Sequence, residues 1–120
     1  MAASRLIGFV AGLYGAAGVS LLAVGVHALP EANLDIAGSI LLLHAAALLA
    51  LAVGDRLKWR GAAALLIALG CLLFSGDLVM RAAMGRHLFP MAAPSGGVAL
   101  IVGWLIVALG SLVRRRSEPA

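Results

Sequence analysis

The chain has 120 residues, 63% of them hydrophobic, and carries only 9 Lys plus Arg against 5 Asp plus Glu, far from the roughly one-quarter charged residues of a soluble domain. Four apolar runs of about 17 to 25 residues fill almost the whole length, each long enough to cross a bilayer's hydrocarbon core. That leaves no room for a soluble catalytic domain. The basic residues lie in short clusters beside the apolar runs, which reads as a membrane topology signal and not as a nucleic-acid surface.

The first run, Leu6 to Leu29, follows Arg5 and ends near Val26, His27 and Ala28, a string similar to a signal-peptide cleavage site. Its length, its glycines and the three further runs fit a retained first helix better. Pro30 ends it. A short acidic link, Glu31 to Asp35, leads to the second run, Ile36 to Gly54, and so brief a connection makes the two helices antiparallel neighbours.

A basic link with Asp55, Arg56, Lys58, Trp59 and Arg60 suits the headgroup region. The third run spans Ala62 to Met84. The link from Gly85 to Pro94 holds Arg86, His87, Phe89 and two prolines, too broken to be helical throughout. Ser95 is the expected cap of the fourth helix, Pro94 marking the boundary and Gly96 and Gly97 standing in its first turn. Expected helices are thus 6–29, 36–54, 62–84 and 96–113, in a single transmembrane domain of residues 1–120 with a basic tail at 114–120.

Counting cations sets the expected orientation. With the N terminus inside, Arg5, Arg56, Lys58, Arg60, Arg114, Arg115 and Arg116 are cytoplasmic, and only Arg81 and Arg86 lie on the other side. Both termini are therefore expected in the cytoplasm.

Small residues recur every seven positions: Ala11, Gly18, Gly25; Gly38, Ala45, Ala52; Ala63, Gly70; Gly96, Gly103, Gly110. Lipid supplies no hydrophobic force between helices, so such stripes matter by letting backbones approach. They predict an all-α, antiparallel four-helix transmembrane bundle with shallow crossing angles. No convincing repeat between the two halves is expected.

Seven residues beyond Gly70 stands Asp77, a carboxylate at membrane depth pointed into the bundle. Such a group needs a partner: Arg81 one turn on, or His27 or His44 across the bundle. The candidate polar cluster is His27, His44, Asp77, Arg81, Ser95, Gly96 and Gly97, the last three at the positive start of the fourth helix. His27 and His44 differ in depth by roughly 8 to 10 Å at the helical rise, a poor pair of haem ligands. The same difference argues against a metal site, and no catalytic triad or phosphate-loop spacing is present. No cofactor, metal or catalytic residue is expected.

Four strings carry a resemblance: GVHAL at Gly25 to Leu29, HAAAL at His44 to Leu48, LFSGDL at Leu73 to Leu78, and PSGG followed by GW at Pro94 to Gly97 and Gly103 to Trp104. In that order, with this hydropathy, the chain resembles domain-of-unknown-function family 423, the small four-helix membrane proteins that include animal transmembrane protein 256. The resemblance implies fold and topology, and no activity.

The expected function is a small non-enzymatic integral membrane protein of the bacterial inner (plasma) membrane, a structural or accessory subunit or scaffold in a membrane complex or homo-oligomer. Its partners are the bilayer and either other subunits or its own copies, and not nucleic acid. The alternative is a small transporter, channel or lipid- or quinone-binding protein using the Asp/His/Arg cluster.

Overall fold

The computed structural model describes residues 2–30, 32–54 and 58–113. Four helices follow in order, α1 (Ala2–His27), α2 (Leu34–Val53), α3 (Lys58–Met84) and α4 (Ala92–Gly110). All four are long and apolar enough to cross a membrane. They form the expected all-α antiparallel bundle, 26 × 21 Å across its two shorter axes. Glu31, Asp55, Arg56 and the tail 114–120 lie outside the described residues.

All four helix starts precede expectation, that of α2 by two residues at Leu34. α1 begins at Ala2 and α3 at Lys58, so Lys58, Trp59 and Arg60 are its first turn and not a link. α4 begins at Ala92, not after Pro94. Ser95 does not cap it; Met91 occupies that position with φ 68°, and the Ser95 N–H donates to the Met91 carbonyl within the first turn. Pro94 is the third residue of α4 and is tolerated there, because the first-turn N–H it lacks has no intrahelical acceptor.

Two helical hairpins make up the bundle, and the same device closes each. In the first, a Cβ on Gly18 would stand 2.8 Å from the Gly38 carbonyl and the Leu42 nitrogen, and one on Gly38 would stand 2.7 Å from the Gly18 carbonyl and 2.8 Å from the Leu22 nitrogen. In the second, a Cβ on Gly70 would meet the Gly96 carbonyl at 2.8 Å, and one on Gly96 would meet the Gly70 carbonyl at 2.7 Å and the Phe74 nitrogen at 2.6 Å. Each glycine leans on its partner glycine and on the residue four further along. The halves therefore do repeat, in backbone contacts and not in letters. Of the small-residue stripes all but Ala52 are buried.

Between the hairpins the main contact is α2 against α3, where Leu41, Leu48, Ala64, Ile67 and Cys71 pack together. Among the described residues three side-chain hydrogen bonds tie one hairpin to the other. The Tyr14 hydroxyl on α1 donates to the Ala68 carbonyl on α3 at 2.6 Å, the Ser75 hydroxyl to the Ala37 carbonyl on α2 at 3.0 Å, and the Trp104 indole on α4 to His44 Nε2 on α2 at 3.0 Å. Glycine contacts close each hairpin, and polar contacts join the pair. On either side of the α2–α3 seam a groove remains, one of about 570 Å³ between α1 and α3 and one of about 220 Å³ between α2 and α4.

Gly96→Ala places a methyl against backbone that cannot rotate away, so the α3–α4 hairpin is expected to lose about 1–3 kcal/mol. Gly97→Ala, with nothing within 4 Å, is expected to be neutral. Unfolding of the two variants in bicelles reads the difference.

Candidate functional site

Asp77 stands seven residues beyond the Gly70 contact and is fully buried. A carboxylate in that position must fill its lone pairs from the protein. Three donors converge on it. The Leu88 backbone N–H donates to Oδ1 at 2.8 Å, His87 Nδ1–H donates to Oδ2 at 3.1 Å, and an Arg81 guanidinium nitrogen lies 3.3 Å from the same oxygen. Arg81 is the i+4 partner expected from the sequence, its side chain 40% exposed.

Local backbone explains the other two donors. Gly85 follows α3 with φ 67°, and its N–H donates to the Arg81 carbonyl, the left-handed cap that only glycine adopts without strain. The cap turns the link back over the last turns of α3. Leu88 then packs on Gly76, where a Cβ would stand 3.2 Å from its Cδ1. With the link seated there, His87 and the Leu88 amide reach Asp77. Link 85–91 is thus fastened to the membrane end of α3 by one buried carboxylate.

His44 forms a separate site. Its Nδ1 lies 2.7 Å from the Ile40 carbonyl, which can only accept, and its Nε2 lies 3.0 Å from the Trp104 indole N–H, which can only donate. These partners assign the neutral tautomer with the proton on Nδ1. The rings meet at 5.8 Å between centroids and 59° between planes. Both ring nitrogens are therefore occupied away from Asp77.

Of the seven residues of the expected cluster, the structure brings only Asp77 and Arg81 together. His27 is exposed at the end of α1, and His44 is buried against α4. Ser95 is exposed, Gly96 is consumed by the Gly70 contact, and Gly97 has open space beside it. Gly96 cannot present a bare amide to a ligand because a neighbouring helix lies on it. Among the described residues no three His, Cys, Asp or Glu side chains are placed to hold a metal.

Sequence reasoning missed His87, the Leu88 amide and Trp104. Gly85 directly after the third apolar run was the available signal for a link that doubles back. For Trp104 the signal was Gly103, whose missing side chain seats α4 on Ile67 of α3.

A family model described as protein of unknown function, DUF423, matches residues 14–97. The chain belongs to this family. The match covers the α1–α2 hairpin from Tyr14, all of α3, the link that clasps Asp77 and the start of α4. The chain is also 29% identical over 116 residues to the UPF0382 inner membrane protein YgdD of Escherichia coli K12, covering 94% of this chain and 88% of the relative. The YgdD of Shigella flexneri matches to the same extent. No solved structure matches.

Asp77→Ala removes the acceptor of the Leu88 amide and is expected to raise that amide's hydrogen-exchange rate about tenfold, the equivalent of one hydrogen bond to a charged group. Exchange at Leu100, inside α4, is expected to stay the same. Unchanged exchange at Leu88 would mean that the link is held by something other than Asp77.

Proposed function

We propose that this chain is a non-enzymatic structural or accessory subunit of a membrane complex, or a self-associating scaffold, in the bacterial inner membrane with both termini cytoplasmic. The observation that carries the reading is the closure of its membrane-embedded polar groups. Asp77, His44, Ser75 and Tyr14 each find their partner inside the chain. A carrier or proton path needs such groups to exchange partners during turnover, whereas here they fasten helices and a link.

Two further features support it. α1 is the least buried of the four spans, and half-buried Gly8 with exposed Gly12, Ala16 and Ser20 follow one another at four-residue spacing along one of its faces. Gly8 and Gly12 have nothing within 4 Å. Small residues at that spacing let a second helix approach closely in lipid. The relatives that carry an inner-membrane name, together with the cation count, support the location and the sidedness.

Gly12→Leu tests the reading without touching the fold, since its side chain points into open space. Wild type, cross-linked in its own membranes and extracted in mild detergent, is expected to bring down a stoichiometric partner or a second copy. Gly12→Leu is expected to weaken that association about tenfold or more while unfolding as wild type does. A lone wild-type monomer under mild conditions would refute the proposal. So would solute flux in liposomes that disappears in Asp77→Asn and His44→Ala while both variants stay folded.

Sidedness has its own test. A cysteine replacing His87, in a chain whose Cys71 is changed to alanine, is expected to react with an impermeant thiol reagent added to the periplasmic side of spheroplasts. Reaction only from the cytoplasmic side would invert the topology.

A further inference from the structure

In the cleft between α2 and α4 a helix of each hairpin faces the other without close backbone contact. It is walled by Ala50 and Leu51 of α2, Trp59, Arg60 and Ile67 of α3, and Trp104 of α4. Its volume is about 220 Å³. The deep part is apolar. The mouth, at the end of the bundle that carries the start of α3 and the end of α4, is not.

Two polar groups there have no partner. The indole N–H of Trp59 and the Nε–H of Arg60 are buried and lack any acceptor, and no other side-chain nitrogen or oxygen among the described residues shares that state. Unmade donors are expensive in low dielectric. Both belong to one turn of helix, both stand in the wall of one cleft, and one carries a positive charge. The Arg60 guanidinium lies 5.2 Å from the centre of the Trp59 ring, and the Trp59 ring rests on Gly110, where any side chain would collide with it. The tryptophan is thereby held at the mouth by α4.

Among the described residues nothing at this mouth accepts from the two donors, and an acceptor that fits is anionic, resident at headgroup depth and joined to something apolar enough to enter the cleft. A phosphodiester with an acyl chain has all three properties. Arg matches phosphate oxygens through its planar fork, and Trp favours headgroup depth. Basic pockets between transmembrane helices take anionic headgroups on the same principle. We propose that the α2–α4 cleft binds one anionic glycerophospholipid, its phosphate held by Arg60 and Trp59 and its proximal acyl chain lying against Leu51, Ile67 and Trp104. The site is independent of the subunit role proposed above.

The test uses the full chain in nanodiscs of phosphatidylcholine containing a minor fraction of phosphatidylglycerol, followed by native mass spectrometry through graded delipidation. Wild type is expected to retain one phosphatidylglycerol per chain. Arg60→Gln is expected to lower its retention about tenfold, and Trp59→Phe, which keeps the ring and removes the donor, about threefold. Ala50→Leu fills the cleft from its lipid-exposed wall without changing charge and is expected to lower retention as well, which keeps the test decisive should Arg60→Gln fail to fold. Arg5→Gln, an exposed cation at the same end of the bundle, is expected to match wild type. Equal retention by wild type and Ala50→Leu, or equal retention of phosphatidylcholine, would overturn the proposal. Displacement of the lipid by millimolar inorganic phosphate would also overturn it, by showing a site for a soluble anion.

Discussion

A carboxylate buried among apolar helices constrains everything around it. Asp77 cannot reach water, so its oxygens must be satisfied by the protein, and three donors from residues 81 to 88 do so. That requirement shapes the chain locally. It demands a glycine at position 85 to reverse direction, a bare Gly76 to seat Leu88, and an arginine one turn beyond the acid. Each of these residues fits around the placed charge.

The rest of the bundle follows a division of labour that lipid imposes. Close backbone approach yields dispersion energy at low entropic cost, and the Gly18–Gly38 and Gly70–Gly96 pairs use it to close the two hairpins. Hairpin against hairpin there is no comparable glycine seam. The joint relies on packing of α2 on α3 and on hydrogen bonds from Tyr14, Ser75 and Trp104, each worth about 0.6 kcal/mol on average in membranes. A stiff hairpin coupled modestly to a second one leaves grooves on both sides of the seam.

Hydropathy alone placed the four spans because an apolar run of that length has few alternatives, and the seven-residue stripes placed the buried faces because steric approach depends only on side-chain size. Asp77 with Arg81 was legible for the same local reason: four residues apart on a helix is a fixed geometry. The remaining cluster members were not, because His27, His44, Ser95 and Gly96 were linked by depth and charge, and depth does not say which way a side chain faces. His44 turned to Trp104 on the other hairpin, a residue 60 positions away, and no periodicity encodes that pairing. Ser95 failed as a cap because a proline at the third position of a helix is as acceptable as one before it.

If the polar groups are fastenings, removing two members of one fastening must cost less than the sum of removing each alone. A double-mutant cycle on Asp77→Asn and His87→Ala, with unfolding followed in bicelles, measures that coupling directly. The expected result is a favourable coupling of about 1 kcal/mol or more between Asp77 and His87, as befits groups in contact. Strict additivity, with each variant losing nothing through the other, would contradict the clasp and return Asp77 to a role outside the chain's own architecture.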